Sequence, residues 1–229
     1  MTVSCLIPAW NEGARIAGVL QAALGHPLLA EVIVIDDGSS DDTVAVAEGV
    51  GARVLRMPRN GGKSAAIAAG LAVAQGQFVL LLDADLQGLE AEHVTALLRP
   101  VLSGRTQASL SLRGNAPRVW HLIGLDYISG ERVMPRRLVL PHLDRIAALR
   151  RFGLEVFLNR CWLDAGLRIS VVRLEAVLSP SKARKQGWAR GILSDFRMVL
   201  DIFRTVPPLA LVVQILRLRR AAGAVMELS

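Results

Sequence analysis

Aromatic side chains make up only 4% of this 229-residue sequence, and cysteine and histidine number two and four. Cys5 and Cys161 stand far apart, outside any CxxC or Cys/His cluster, which excludes a disulfide framework and a zinc site and leaves both as reduced packing residues. Few aromatics also mean few stacking platforms for single-stranded nucleic acid. No RNP-like, zinc-finger or basic-zipper pattern is present either, so no nucleic-acid partner is expected. Near the C-terminus the longest uncharged stretch, Thr205 to Leu216, has 12 residues against the roughly 20 that a bilayer-spanning helix requires, so it is not expected to cross a membrane alone. At the other end, MTVSCLIPAWNE lacks a basic start and a small-residue cleavage site, and Pro8 breaks its apolar run; the expectation is an intracellular, cytoplasmic chain. What is present suffices for a core. With 52% apolar and 21% charged residues, the chain is globular and buries roughly 70% of its unfolded surface.

The formal net charge of +7 conceals an asymmetry: residues 1–103 carry 6 Lys/Arg against 11 Asp/Glu, whereas residues 104–229 carry 21 against 9. A basic second half gains from an anionic partner, whether nucleic acid, an anionic membrane surface or a phosphorylated small molecule, and charge alone does not choose among these.

Short β-branched runs alternate with Ala/Leu/Val-rich stretches. Val3–Ile7, Val32–Ile35, Arg53–Met57, Phe78–Leu82 and Ser109–Leu112 read as strands. Between them Glu12–Leu24, Asp42–Val50, Lys63–Ala74 and Glu90–Val101 read as helices, each long enough to return the chain to a parallel neighbour. The fold class expected is α/β: an open, mostly parallel Rossmann-like sheet with helices on both faces. Residues 1–113 would form a nucleotide-binding half, and 114–229 an acceptor-side half of the same domain with C-terminal helices. In that second half, residues 143–166 read as helical, and residues 193–204 place Leu193, Phe196, Val199, Leu200 and Phe203 on one face.

In open α/β sheets ligands collect beyond the carboxyl ends of the strands. Four loops lie there: PAWNE, DDGSSDD, RNGGK and DADLQG. Asp83 and Asp85 stand two apart after FVLLL, so on an extended chain both carboxylates point the same way and repel unless a hard cation such as Mg²⁺ or Mn²⁺ sits between them. In the second loop, Asp36 or Asp37 is the ligand candidate, able to accept hydrogen bonds from a ribose or base, while Ser40 and Asp41 read as caps of the next helix. Arg59-Asn60-Gly61-Gly62-Lys63-Ser64 resembles a Walker loop but has Met57 where its first glycine belongs, and Gly49-Val50-Gly51 ends a helix where a dinucleotide fingerprint would open one. ATPase and dehydrogenase readings lose support.

Taken together, PAWNE, VIDDGSSDDT, RNGGKSAA and LLDADLQG, in this order and spacing, resemble the family 2 glycosyltransferases of the GT-A fold. The resemblance continues more loosely through SGER (Ser129–Arg132) and FGLEVFLN (Phe152–Asn159), and DADLQ is similar to the polyprenyl-phosphate hexose transferases of the dolichyl-phosphate mannose synthase type. It implies a nucleoside-diphosphate sugar donor and inversion by direct displacement. It further implies donor contacts at Pro8, Trp10, Glu12, Ile35, Asp37, Lys63, Asp83, Ala84 and Asp85, with a divalent metal at Asp83, Asp85 and Gln87. Trp10 stands where the family commonly has Tyr, and Ser179 near the place where many relatives carry a His beside the metal.

Charge builds on the departing diphosphate during such a transfer, and stabilising it is the catalytic task expected of Asp85 through its metal. A hydroxyl acceptor also needs a base, for which Glu131 is the candidate, an ordinary solvated glutamate being the other reading; a phosphate acceptor needs none. Ser129 and Arg132 match the family's acceptor-phosphate loop, and Arg113 is a second clamp by its charge and place. The acceptor expected is a sugar, a polyprenyl phosphate or another phosphorylated molecule, including a membrane-associated glycan precursor of the cell envelope. VPPLALVVQILRLRR suits peripheral contact with the inner membrane face, or packing onto the domain. Two other readings stay open: a GT-A module that binds without turnover, and a nucleotidyltransferase, which also pairs Asp residues on an α/β sheet.

Overall fold

The computed structural model describes residues 1–179 and 207–222. Chain order is β1 (Val3–Ala9), α1 (Gly13–Ala23), β2 (Glu31–Asp36), α2 (Thr43–Gly49), β3 (Arg53–Arg56), α3 (Lys63–Val73), β4 (Phe78–Leu81), α4 (Ala91–Leu102), β5 (Ala108–Arg113), α5 (Arg118–Ile123), β6 (Arg132–Pro135), α6 (Leu143–Ala147), α7 (Gly153–Asp164), β7 (Ile169–Leu174) and α8 (Pro208–Ala221). The first five strands and four helices lie within a residue or two of where the sequence puts them. The helix expected over residues 193–204 lies outside the described residues.

Seven strands form one sheet in the order β3-β2-β1-β4-β6-β5-β7. All neighbours run parallel except β6, which is antiparallel to both β4 and β5. A strand from the second half of the sequence is therefore inserted between two from the first, and the sheet crosses the 113/114 boundary. Strand alternation sorts the core into two layers. Leu6, Ile33, Ile35, Val79 and Leu81 face one side with α3 and α7, whereas Cys5, Ile7, Val32, Val34, Leu80 and Leu82 face the other with α1 and α4. Gly70 of α3 seats directly on Ile35, whose Cδ1 would stand 2.8 Å from an added Cβ.

Residues 143–166 form two helices. Arg151 adopts φ 52°, a left-handed turn that interrupts the helical hydrogen-bond ladder between α6 and α7.

The order of strands reverses at β1. The chain leaves it towards β2 and β3, then returns to its other side as β4. The loops after β1 and β4 diverge from that point and leave a crevice between them.

Candidate active site

A cleft of about 360 Å³ opens at this crevice, lined by Pro8, Ala9, Trp10 and Glu12 after β1, Asp37 after β2, Asn60, Gly62, Lys63 and Ala66 at the start of α3, and Asp83, Ala84 and Asp85 after β4. Every donor residue expected from the sequence lines it except Ile35. That side chain is fully buried under Gly70, on the core side of β2, so its assignment as a donor contact is corrected. Ala9, Asn60, Gly62 and Ala66 join the lining, three of them neighbours of the quoted PAWNE and RNGGK positions.

Hydrogen bonds to backbone hold the loops in place. Asp37, 3% exposed, accepts the Gly61 and Gly62 N–H groups at 2.7 Å each, tying the end of β2 to the start of α3. Gly38 (φ 74°) passes so close to Arg59 and Asn60 that a Cβ there would stand 2.9 Å from both backbones. Asp36 faces its own turn, accepting the Ser39 N–H at 3.2 Å. Asp41 accepts from Thr43 at the start of α2 and from the Gly13 N–H at the start of α1. Ser40 instead donates its N–H to Asn11, so its expected capping role is corrected. Trp10 remains 54% exposed, a flat wall at the cleft mouth.

The two carboxylates after β4 are not equivalent. Asp83 Oδ1 lies 2.7 Å from Lys63 Nζ, and Gly130 packs against the carboxylate, where an added Cβ would come within 2.4 Å of Oδ2. Burial would raise the Asp83 carboxyl, but the Lys63 ammonium prevails and holds it below its ordinary value. Among the described residues no cation contacts Asp85 as Lys63 does Asp83, although the Arg113 charge acts on it. Burial, reinforced by the neighbouring Asp83 charge, pushes it above its ordinary value, and its hydrogen bond comes from Ser179 Oγ at 3.3 Å. Pairing of Gln87 with Leu178 through two backbone hydrogen bonds brings Ser179 to that place. The Gln87 side chain itself is exposed and borders a second cleft with Arg15 and Gly18, so it is not brought together with Asp83 and Asp85.

Lys63 has a second partner that the sequence reading missed. Glu155 Oε1 lies 3.3 Å from Nζ, and although burial opposes the lysine charge, Asp83 and then Glu155 keep its titration raised. A glutamate among the apolar residues of GLEVFLN was the available signal.

Behind the cleft lies a buried polar layer. Glu131 is fully buried, so the solvated reading fails. It accepts hydrogen bonds from Ser111 and Ser129 and sits 3.5 Å from Arg113 Nε. Burial pushes its carboxyl up, with Arg113 opposing. Arg132 is also fully buried: Nε donates to the Ser129 carbonyl at 2.6 Å, Nη1 to Asn159 at 2.6 Å and Nη2 to the Tyr127 carbonyl at 3.0 Å, while the guanidinium lies over Trp162. Ser129 is sealed beside it. Both acceptor assignments are corrected, because these groups are spent inside the protein and present nothing to a ligand. Arg113, 9% exposed, pairs loosely with Glu131 and with Asp126 at 3.7 Å, and its charge acts on both Asp83 and Asp85.

Among the described residues no cluster of three or more His, Cys, Asp or Glu side chains is arranged to hold a metal by itself. The Asp83–Asp85 pair suits an ion of the Mg²⁺ or Mn²⁺ kind, which is commonly held by one or two carboxylates, with waters and phosphate oxygens completing its shell. Burial and then repulsion from Asp83 lift Asp85, and such an ion relieves the repulsion between the two carboxylates.

The chain is similar to several known proteins. A dodecaprenyl-phosphate galacturonate synthase of Rhizobium johnstonii is 34% identical over 97 residues, 38% of this chain and 29% of that protein. Glucosyl-3-phosphoglycerate synthase of Mycobacterium tuberculosis is 37% identical over 112 residues, 45% of this chain and 35% of that protein. The alignments thus span about a third of the length of these curated relatives. A crystal structure of the mycobacterial enzyme in complex with Mn²⁺ and UDP-glucose matches with a TM-score of 0.69 at 27% identity, covering 90% of this chain and 77% of that one. The glycosyl transferase family 2 model matches residues 4–152, from β1 to the threshold of α7. With more than half of its length in that match and its mostly parallel sheet in the GT-A arrangement, the chain belongs to glycosyl transferase family 2.

Proposed function

We propose that the chain transfers a sugar from a nucleoside diphosphate to a phosphate-bearing acceptor, with inversion and with the help of a divalent cation. The observation that carries this reading is the meeting of Trp10, Asp37, Asp83 and Asp85 in one cleft at the strand-order reversal. Trp10 offers its face to the base, and Asp37, fixed by Gly61 and Gly62, defines the cleft floor. Asp85, with Asp83, would hold the cation. When bound, the cation supplies positive charge against the diphosphate as its bond to the anomeric carbon breaks.

A phosphate acceptor fits this protein better than a hydroxyl one. A phosphate oxygen attacks the anomeric carbon already charged, so no side chain has to take a proton. Glu131, the base expected from sequence, is sealed beneath Ser111 and Ser129. The name of the dodecaprenyl-phosphate relative supports transfer to a phosphate, and that of the 3-phosphoglycerate relative supports a phosphate-bearing acceptor without specifying which of its oxygens attacks. Arg113 is the acceptor-side cation this reading retains.

Peripheral membrane contact is part of the proposal. No helix of the described residues is long and apolar enough to cross a membrane. On α8, Leu209, Val212, Val213 and Leu216 lie on the outer face at 83%, 53%, 52% and 53% exposure, with Arg217, Arg219 and Arg220 at its end. That combination suits a helix lying in the plane of an anionic surface.

Purified protein incubated with UDP- and GDP-sugars, Mn²⁺ and a panel of polyprenyl phosphate, phosphoglycerate and neutral glycans tests the reaction. Transfer to a phosphate is expected, and loss of it in Asp85→Ala. Transfer to neutral glycans alone sinks the acceptor class, and no transfer from any sugar nucleotide sinks the activity. Equal sedimentation with anionic vesicles of the full chain and of a Leu209→Ser/Val213→Ser variant removes the membrane contact.

A further inference from the structure

We propose that Glu155 is a positioning residue of the donor cleft, sharing the Lys63 ammonium with Asp83 so that the Asp83 carboxylate stays open to a cation. The inference rests on the donor-cleft reading above and assigns a role to a residue outside the cleft lining.

Three observations lead to it. Lys63 Nζ stands between two carboxylates, 2.7 Å from Asp83 Oδ1 and 3.3 Å from Glu155 Oε1. Glu155 is set in the first turn of α7 among buried Leu154, Val156, Phe157 and Leu158, its side chain 8% exposed, and its Oε2 has no hydrogen-bond partner among the described residues. Nearby Arg132 makes no competing bond to it, since its guanidinium is engaged by Ser129, Tyr127 and Asn159.

A buried carboxylate with an unused oxygen is costly unless it serves as a partner for a cation. Among the described residues Lys63 is the cation in direct contact with it, and the Arg132 charge acts on it as well. Across the cleft, an ammonium pressed wholly onto Asp83 would compete with a metal ion for the same oxygens. Glu155 draws that ammonium partly away and can receive it fully when a metal ion takes Asp83, so the lysine moves between two acids without losing a counter-ion.

The test is a double-mutant cycle on Glu155→Gln and Lys63→Met, read as the dissociation constant of Mn²⁺ in the presence of UDP, followed by electron paramagnetic resonance of the free ion. Glu155→Gln is expected to weaken Mn²⁺ about tenfold, because Lys63 then pairs with Asp83 alone. In the Lys63→Met background the same change is expected to do nothing, a pattern that a merely structural role would not produce. Unchanged Mn²⁺ binding in Glu155→Gln, or equal weakening in both backgrounds, overturns the assignment. Should Glu155→Gln fail to fold, Glu155→Asp replaces it in the cycle with a smaller weakening expected, and wild-type binding there overturns the assignment equally. Wild-type protein that binds no Mn²⁺ with UDP refutes the donor-cleft reading instead.

Discussion

Replacing Gly130 by alanine isolates one contact on which the donor cleft depends. An added Cβ would stand 2.4 Å from Asp83 Oδ2 and 2.7 Å from its Cγ and Oδ1, where ordinary contacts begin near 3.4 Å. Gly130 does not have a positive φ, so alanine fits its backbone and the collision with Asp83 is the perturbation. The carboxylate must retreat by about 1 Å, which disrupts the 2.7 Å geometry of its pair with Lys63. Overpacking of this kind costs about 1–3 kcal/mol, and loss of a partly exposed ion pair adds about 1 kcal/mol, for a total of about 2–4 kcal/mol. For a chain of this size that lowers the melting temperature by roughly 5–15 °C. Thermal melts of four proteins decide the matter: wild type, Gly130→Ala, Asp83→Ala and the double variant. With Asp83 already truncated, the alanine methyl meets open space, so Gly130→Ala is expected to cost less than about 0.5 kcal/mol in that background. Binding of Mn²⁺ with UDP should fall in Gly130→Ala even at temperatures where it is fully folded. Equal melting temperatures for wild type and Gly130→Ala would refute the argument, as would the same cost with and without Asp83.

Asp85 binds its proton more tightly in the native state than in the unfolded chain, since burial and Asp83 raise it. Its contribution therefore turns unfavourable as pH rises through the ordinary carboxylate range to the raised native value, and the full penalty is present at neutral pH. Asp85→Asn is expected to melt higher than wild type at pH 7, by a margin that shrinks towards pH 3, while Mn²⁺ binding is lost; a lower melting point at pH 7 contradicts this. Arg132→Lys cannot supply three bonds in a planar fork and is expected to cost about 3 kcal/mol in urea unfolding. A variant as stable as wild type that has lost acceptor turnover would return Arg132 to the acceptor site. Burial pushes the Cys5 thiol well above its ordinary value, so a disulfide reagent is expected to reach it only after unfolding; modification in the folded protein, followed by mass spectrometry, contradicts that.

Local rules made the first half legible. Runs such as VIVID and FVLL are bounded by turn residues, and their neighbours carry helical periodicity, so propensity and burial agree. The donor loops followed from the strand ends, and Ile35 is the exception that alternation itself explains: it points to the opposite side of β2 from Asp36, onto α3. In the second half the determinants are tertiary. β6 reads RVMP, with a charged residue and a proline in four positions, and becomes a central strand because Asn159, the Tyr127 carbonyl and the Trp162 face receive Arg132. The same buried environment turned SGER from an exposed acceptor loop into the floor behind Asp83. Arg151 gave no sequence sign of its left-handed turn, and the helix over residues 143–166 was drawn through it.

The sealing of SGER links the two halves of the chain at Asp83. Gly130 and Lys63 both fix that carboxylate, one through close packing from the loop before β6 and the other from the N-terminus of α3. Asp85, by contrast, accepts one hydrogen bond among the described residues, from Ser179, delivered by the Gln87–Leu178 pairing. A fixed acid beside a lightly held one gives a site with a set position but an unfinished ligand shell. A cation there would need oxygens beyond those that the described residues bring to it, so its affinity is expected to rise when a diphosphate is present. Under the proposed activity a diphosphate would supply those oxygens, so the ion would be held by the same group whose departure it assists.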